Sequence, residues 1–250
     1  MNTQAAKVFS QLILARSPLR VKLLGDSITH GVGGTGFAQS GEPITAGFAR
    51  NPDGFCWAKL LKDYLEANFC CRVVNNGCTG TTIDFILEHF EELVDEDDDM
   101  ILCTIGTNNR HQYFCQGPKR DRSVHMEDFY QKILALHSRF LAAGKQVVFM
   151  ANIPAAAQNE ADCLPDTENG YWRIMHMKDV CDLYTKASLE RDFPLIRMYS
   201  LFMNYCRQEK ISLDSLLADG LHPNDEGYRV MFRLLVEELG IAEDLAIAGM

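Results

Sequence analysis

The sequence predicts an α/β fold, with a layer of parallel strands covered by helices on both faces. Three observations carry the prediction. Short apolar runs alternate with longer amphipathic segments along the chain. Alternation of strands and helices requires crossover connections, and crossovers make a sheet parallel. The strand candidates are near-continuous apolar runs, as strands buried on both faces should be. No repeat, low-complexity tract or linker interrupts the pattern. Residues 1–250 therefore read as one domain, an α/β sandwich.

The elements follow in order. Val21 to Leu24 is the first strand, and a Gly-rich loop follows it. Cys56 to Ala67 has helical spacing through Trp57, Leu60, Leu61, Tyr64 and Leu65. Arg72 to Asn75 is the second strand, and Ile83 to Val94 the next helix. An acidic turn, Asp95 to Asp99, precedes the third strand, Met100 to Ile105. A helix from Met126 to Ala143 stops at Gly144, a suitable C-cap. Gln146 to Ala151 is the fourth strand, Tyr171 to Glu190 a long helix, and Leu195 to Tyr199 the fifth strand. Asn224 to Leu239 closes the core as a helix.

Composition narrows the function. The chain is 47% hydrophobic and 23% charged, ordinary for a globular enzyme-sized domain. A net charge of −10 argues against nucleic acid and anionic membrane as partners, since both reward clustered Lys and Arg. No apolar stretch is long enough to span a bilayer. Met1 to Arg20 lacks the basic start and uninterrupted apolar core of a signal peptide. The nine cysteines are odd in number and show no CxxC spacing. They read as reduced thiols, and the expected compartment is the cytoplasm.

Ligands of parallel sheets gather at the carboxyl ends of the strands. After the first strand comes Gly25-Asp26-Ser27-Ile28-Thr29, where a serine can present its hydroxyl or simply cap a helix. Thr29 excludes the GxSxG elbow. After the second comes Asn75-Asn76-Gly77-Cys78-Thr79-Gly80-Thr81, whose glycines let backbone N–H groups approach a ligand. After the third comes Gly106-Thr107-Asn108-Asn109, where an Asn amide can donate to a developing oxyanion. Before the last helix comes Asp219-Gly220-Leu221-His222-Pro223-Asn224. There Asp219 can fold back on His222 and orient it as a general base. Each motif alone is also an ordinary turn. Together they supply nucleophile, donors and acid–base pair at one sheet edge, the parts needed for acyl transfer.

In the same order, these segments resemble the conserved blocks of the SGNH (GDSL-like) hydrolases. Gly25-Asp26-Ser27-Ile28 is similar to the GDS block, with Ile where the family name has Leu. Asn75 to Gly80 resembles the second block, Gly106-Thr107-Asn108 the G-x-N block, and Asp219 to His222 the D-x-x-H block. The resemblance implies a flavodoxin-like three-layer α/β/α sandwich with a central parallel five-stranded sheet. It implies ester or thioester hydrolysis without metal or cofactor. It makes Ser27 the nucleophile, His222 its base and Asp219 the residue that orients the base. The Ser27 N–H, the Gly80 N–H (rather than that of Gly77) and the Asn108 side chain would form the oxyanion hole.

Other readings remain beside it. Gly31-Val32-Gly33-Gly34-Thr35-Gly36 fits G-x-G-x-x-G, but it does not start at the strand end or open a helix. Those glycines suit a mobile loop flanking the site, a candidate lid. The same apparatus would also serve an acyltransferase, and a degenerate scaffold could bind glycan or protein. His30 and His111 are candidates to line the pocket, whereas His89 and His137 sit in helical patterns. No His/Asp/Glu cluster has metal-ligand spacing. The segments Gly31–Gly54 and Pro154–Gly170 would shape the substrate pockets. They lack the Phe, Leu and Ile density of a long-acyl site, so the expected substrate is a small-molecule or carbohydrate ester with an acetyl-sized acyl group. The tail from Ile241 to Met250 can pack on the core or on a second copy, so oligomeric state stays open.

Overall fold

β1 (Leu19–Gly25) pairs on one side with β2 (Cys71–Asn75) and on the other with β3 (Met100–Thr104). β4 (Gln146–Ala151) and β5 (Leu195–Arg197) extend the sheet in the order β2-β1-β3-β4-β5, every pair parallel. The computed structural model describes residues 3–37, 52–111, 121–160 and 174–241.

Adjacent residues of a strand point to opposite faces, and both faces are apolar here. Val21, Leu23, Leu102, Val148 and Met150 join one buried cluster; Leu24, Ile101, Cys103, Val147 and Phe149 join the other. The first face is covered by α1 (Gln4–Ala15), α3 (Trp57–Asn68), α9 (Met198–Glu209) and α10 (Asp225–Glu238). The second is covered by α4 (Ile83–Glu88), α5 (Phe90–Leu93), α6 (Arg122–Ala142) and α8 (Met177–Arg191). Fully burying one large side chain such as Phe149 or Leu235 contributes about 1.5–3 kcal/mol. This is the three-layer α/β/α sandwich that the alternation predicts.

Several boundaries differ from the sequence expectation. The helix expected over Ile83–Val94 is two pieces. The backbone turns at His89 (φ −101°, ψ 26°), whose carbonyl accepts from both Glu92 and Leu93 N–H. The helix expected from Tyr171 begins at Met177, where His176 and Asp179 form a reciprocal capping box; residues 171–173 lie outside the described residues. α6 begins at Arg122 rather than Met126. The fifth strand ends at Arg197, and Met198 opens α9 instead of continuing the strand. Met198, Phe202 and Cys206 recur at helical spacing on its buried face, but Arg197 provides no side-chain cap to announce the start. α1 had no counterpart in the reading, although Thr3 caps it by accepting from Ala6 N–H at 3.0 Å.

The acidic turn Asp95–Asp99 is more than solvated surface. Lys22 on β1 is wholly buried, with its ammonium 2.6 Å from Asp95 and 3.1 Å from Asp98. Lys145 donates to the Glu96 and Asp98 carbonyls at 2.7 and 2.8 Å. This end of the sheet is an ion-paired plug, opposite the end where the strands exit. The seven described cysteines are all free. Among the described residues no helix is long and apolar enough to cross a membrane.

Candidate active site

β1 is where the strand order reverses, since β2 lies to one side and β3, β4 and β5 to the other. A crevice opens at the carboxyl ends on either side of such a strand. The chain leaves β1 through Asp26, which caps the four-residue helix α2 (Ser27–His30). Asp26 Oδ1 accepts from Ile28 N–H at 3.0 Å, so Asp26 and not Ser27 is the N-cap. Ser27 is thus the first residue of the turn, and its N–H makes no hydrogen bond among the described residues.

His222 reaches the same point from the other end of the chain. Its Nε2 lies 2.8 Å from Ser27 Oγ, and its Nδ1 lies 2.7 Å from Asp219 Oδ2. Asp219 Oδ1 also accepts from the N–H groups of Leu221 (2.9 Å) and His222 (2.8 Å). Burial raises the Asp219 carboxyl. The hydrogen bonds from His222 and Leu221 and the attraction of the imidazole outweigh it, holding the group below its ordinary value. The Asp219 side chain is 54% exposed and that of His222 15%, so the imidazole is shielded while the carboxylate paired with it meets solvent.

The loop that carries this pair is clamped at its base. Leu217 and Pro223 bridge antiparallel, Ala218 N–H donates to His222 O at 2.8 Å, and Asn224 caps α10 by accepting from Gly227 N–H. The segment after β4, ending in α7 (Ala157–Glu160), holds its tip. Ala156 N–H donates to Gly220 O at 2.8 Å and Asn159 Nδ2 to Asp219 O at 3.3 Å. Gly220 has φ +82°, a left-handed conformation that favours glycine at this turn.

The remaining sequence-predicted residues sit in the loops after β2 and β3. Gly77 N–H is committed to Asn75 Oδ1 at 2.8 Å, whereas Gly80 N–H makes no hydrogen bond among the described residues. Asn108 opens a short 3₁₀ turn, and its Nδ2 donates to Thr81 O at 2.8 Å. One amide hydrogen thereby anchors the β3 loop to the β2 loop, and the other stays available. His125 Nε2 lies 2.6 Å from Asn109 O, and Asn109 Oδ1 accepts from Ile83 N–H, so the Asn-rich loop is held from below.

The G-x-G-x-x-G stretch does not form a cofactor turn. Tyr228 donates to Val32 O at 2.7 Å, Thr35 N–H donates to Asp225 Oδ1 at 2.7 Å, and Phe55 N–H donates to Thr35 O at 2.9 Å. Residues 31–37 are therefore tied to α10 beside His222. Residues 38–51 of the expected loop, and most of 154–170, lie outside the described residues. His30 is buried and edge-on to Phe37, and burial lowers its basicity. His137 packs against Phe193, and His89 pairs with Glu92. Among the described residues no group of three or more His, Cys, Asp or Glu could hold a metal ion.

Sequence reasoning missed three polar residues beneath the site. Asn152 after β4 is fully buried, and its Nδ2 donates to Asp26 Oδ2 at 3.2 Å and to the Thr107 hydroxyl. The visible signal was a lone Asn closing the apolar run Gln146 to Ala151.

The profile described as GDSL-like Lipase/Acylhydrolase family matches residues 23–230. A search of curated protein sequences found no match. Among solved structures, the acetylxylan esterase Axe2 from Geobacillus stearothermophilus is similar with a TM-score of 0.63 and 19% identity, over 90% of this chain and 95% of that one. LAE5, described as an alpha/beta hydrolase enzyme from the metagenome of Lake Arreo, Spain, gives 0.65 and 21% over 90% and 97%. At such identities the structural likeness speaks for the fold.

Proposed function

The chain belongs to the GDSL-like lipase/acylhydrolase family and is a carboxylic ester hydrolase, and on that premise we propose that Ser27, His222 and Asp219 are its catalytic triad. The continuous hydrogen-bonded line from Asp219 through His222 to Ser27, at 2.7 and 2.8 Å, carries the reading. With Nδ1–H donated to Asp219, His222 Nε2 is free to take the Ser27 proton as Oγ attacks the acyl carbon. The resulting oxyanion is met by the N–H groups of Ser27 and Gly80 and the Asn108 amide. His222 then returns its proton to the leaving alcohol, which departs from an acyl-enzyme. Water, deprotonated by the same imidazole, releases the acid.

We read the acyl group as acetyl-sized and the alcohol as a carbohydrate or similar polar molecule, working in the cytoplasm. The fold shared with an acetylxylan esterase and the low Phe, Leu and Ile content of the segments 31–54 and 154–170 support the substrate class. The free cysteines support the compartment. The test is hydrolysis of p-nitrophenyl acetate by the native chain and by Ser27→Ala. Turnover lost in the variant is the expected result; equal rates would remove Ser27 from the reaction. Across a nitrophenyl ester series the rate should fall beyond short chains, and a steady rise with acyl length would overturn the acetyl reading.

A further inference from the structure

Beneath the reacting groups lies a polar cluster that the mechanism above does not use. It takes one side chain from each of three strand ends: Asp26 after β1, Thr107 after β3 and Asn152 after β4. All three are buried. Asn152 Nδ2 bridges the other two, and its carbonyl oxygen in the main chain accepts a weak bond from Cys181 Sγ at 3.6 Å. Its side-chain oxygen is buried without a hydrogen-bond partner among the described residues. A buried amide with one unmet oxygen is a standing cost that an apolar residue of similar volume would avoid. Its position gives a reason for bearing that cost. Asp26 immediately precedes Ser27 and caps its helix, and Thr107 immediately precedes Asn108.

We infer that Asn152 is a positioning residue of the reaction, its amide holding the Ser27 turn in register with the Asn108 loop. The inference rests on the roles proposed for Ser27 and Asn108. Attack and oxyanion stabilisation need both loops correct at once, and a misplacement of about 1 Å can cost about 100-fold. The carboxyl at the centre of the cluster is pushed up by burial and pulled back by Thr107, Ile28, His222 and Asn152, with burial prevailing. The other titratable groups near it are Cys103 on β3, Tyr184 on α8 and Tyr228 on α10. Burial keeps all three in their neutral forms.

The test uses the full chain, p-nitrophenyl acetate and three variants. Asn152→Leu removes the bridge, and kcat should fall roughly ten- to a hundredfold while KM moves less than about threefold. Asn152→Asp sets a second carboxyl against Asp26. Its activity relative to the native chain should be highest at low pH, where the pair can share a proton, and should fall as pH rises. The exchange Asp26→Asn with Asn152→Asp reverses donor and acceptor, leaves an oxygen for Ile28 N–H, and should recover about tenfold over Asn152→Asp alone. A native kcat in Asn152→Leu overturns the inference, as does a loss confined to KM. If Asn152→Leu does not fold, the exchange decides, and an exchanged chain no faster than Asn152→Asp overturns it. Failure of the active-site reading looks different: Ser27→Ala would then keep its activity, whatever the Asn152 variants do.

Discussion

Ser27 and His222 are 195 positions apart in the chain and 2.8 Å apart between Oγ and Nε2. Two groups joined this way act as one unit, so their losses should not add. Ser27→Ala and His222→Ala should each lower kcat for p-nitrophenyl acetate by a factor of about 10⁴ to 10⁶, and the double variant by no more. Steady-state rates of the three proteins check this. Additive losses would mean that the two residues serve separate steps.

Asp219→Asn should keep the loop and lose the chemistry. An amide can still accept from Leu221 and His222 N–H, but it no longer favours the Nδ1–H tautomer. A fall in kcat of roughly 10³- to 10⁴-fold with a native circular dichroism spectrum is expected. Stability should respond in acid. The folded carboxyl lies below its ordinary 3.8, so its contribution is complete above that value and is lost as pH falls through the folded pKa. The native melting temperature should therefore drop faster below about pH 4 than that of Asp219→Asn. Parallel melting curves down to strong acid would contradict the hydrogen-bond arrangement.

Asn108→Ala removes the proposed oxyanion donor and leaves Ser27, His222 and Asp219 in place. The expected loss in kcat is about 10²- to 10³-fold, with KM nearly unchanged because the donor acts on charge that develops in the transition state. Initial rates over a range of substrate concentrations separate the two parameters. A rise in KM alone would assign Asn108 to ground-state binding.

Lys22→Met tests the far end of the sheet. The substitution strands the buried Asp98 without its cation and should destabilise the fold by about 3–5 kcal/mol. Activity of the folded protein at low temperature should stay near native, since the pair sits at the opposite edge from Ser27. Denaturant unfolding measures the first, and rates at 10 °C below the melting onset measure the second. Unchanged stability would show that the turn, rather than the pair, holds that edge.

The sheet was legible because its strands are written as apolar runs buried on both faces. Met100 to Thr104 and Gln146 to Ala151 show this directly. Side-chain contacts were legible where a short motif carries its own geometry. Asp219 and His222 are three residues apart, so one turn suffices to join them, and Asn224 announces the helix behind. By contrast the first two residues of α9, Met198 and Tyr199, read as the end of the fifth strand, because Leu195 to Tyr199 is mostly apolar and no capping side chain marks Met198 as a start. The G-x-G-x-x-G loop read as free, because its anchors, Asp225 and Tyr228, lie some two hundred residues on.

By itself, then, the sequence determined the layer architecture and the residue types at each strand exit, since periodicity and short-range turns are local properties. Only the tertiary structure decided that the buried Asn152 amide makes its two hydrogen bonds, to Asp26 and to Thr107. Those depend on the register of three parallel strands, which brings side chains far apart in the chain within hydrogen-bond reach. The hydrophobic pattern constrains which face a residue occupies but does not say which polar neighbour it meets there.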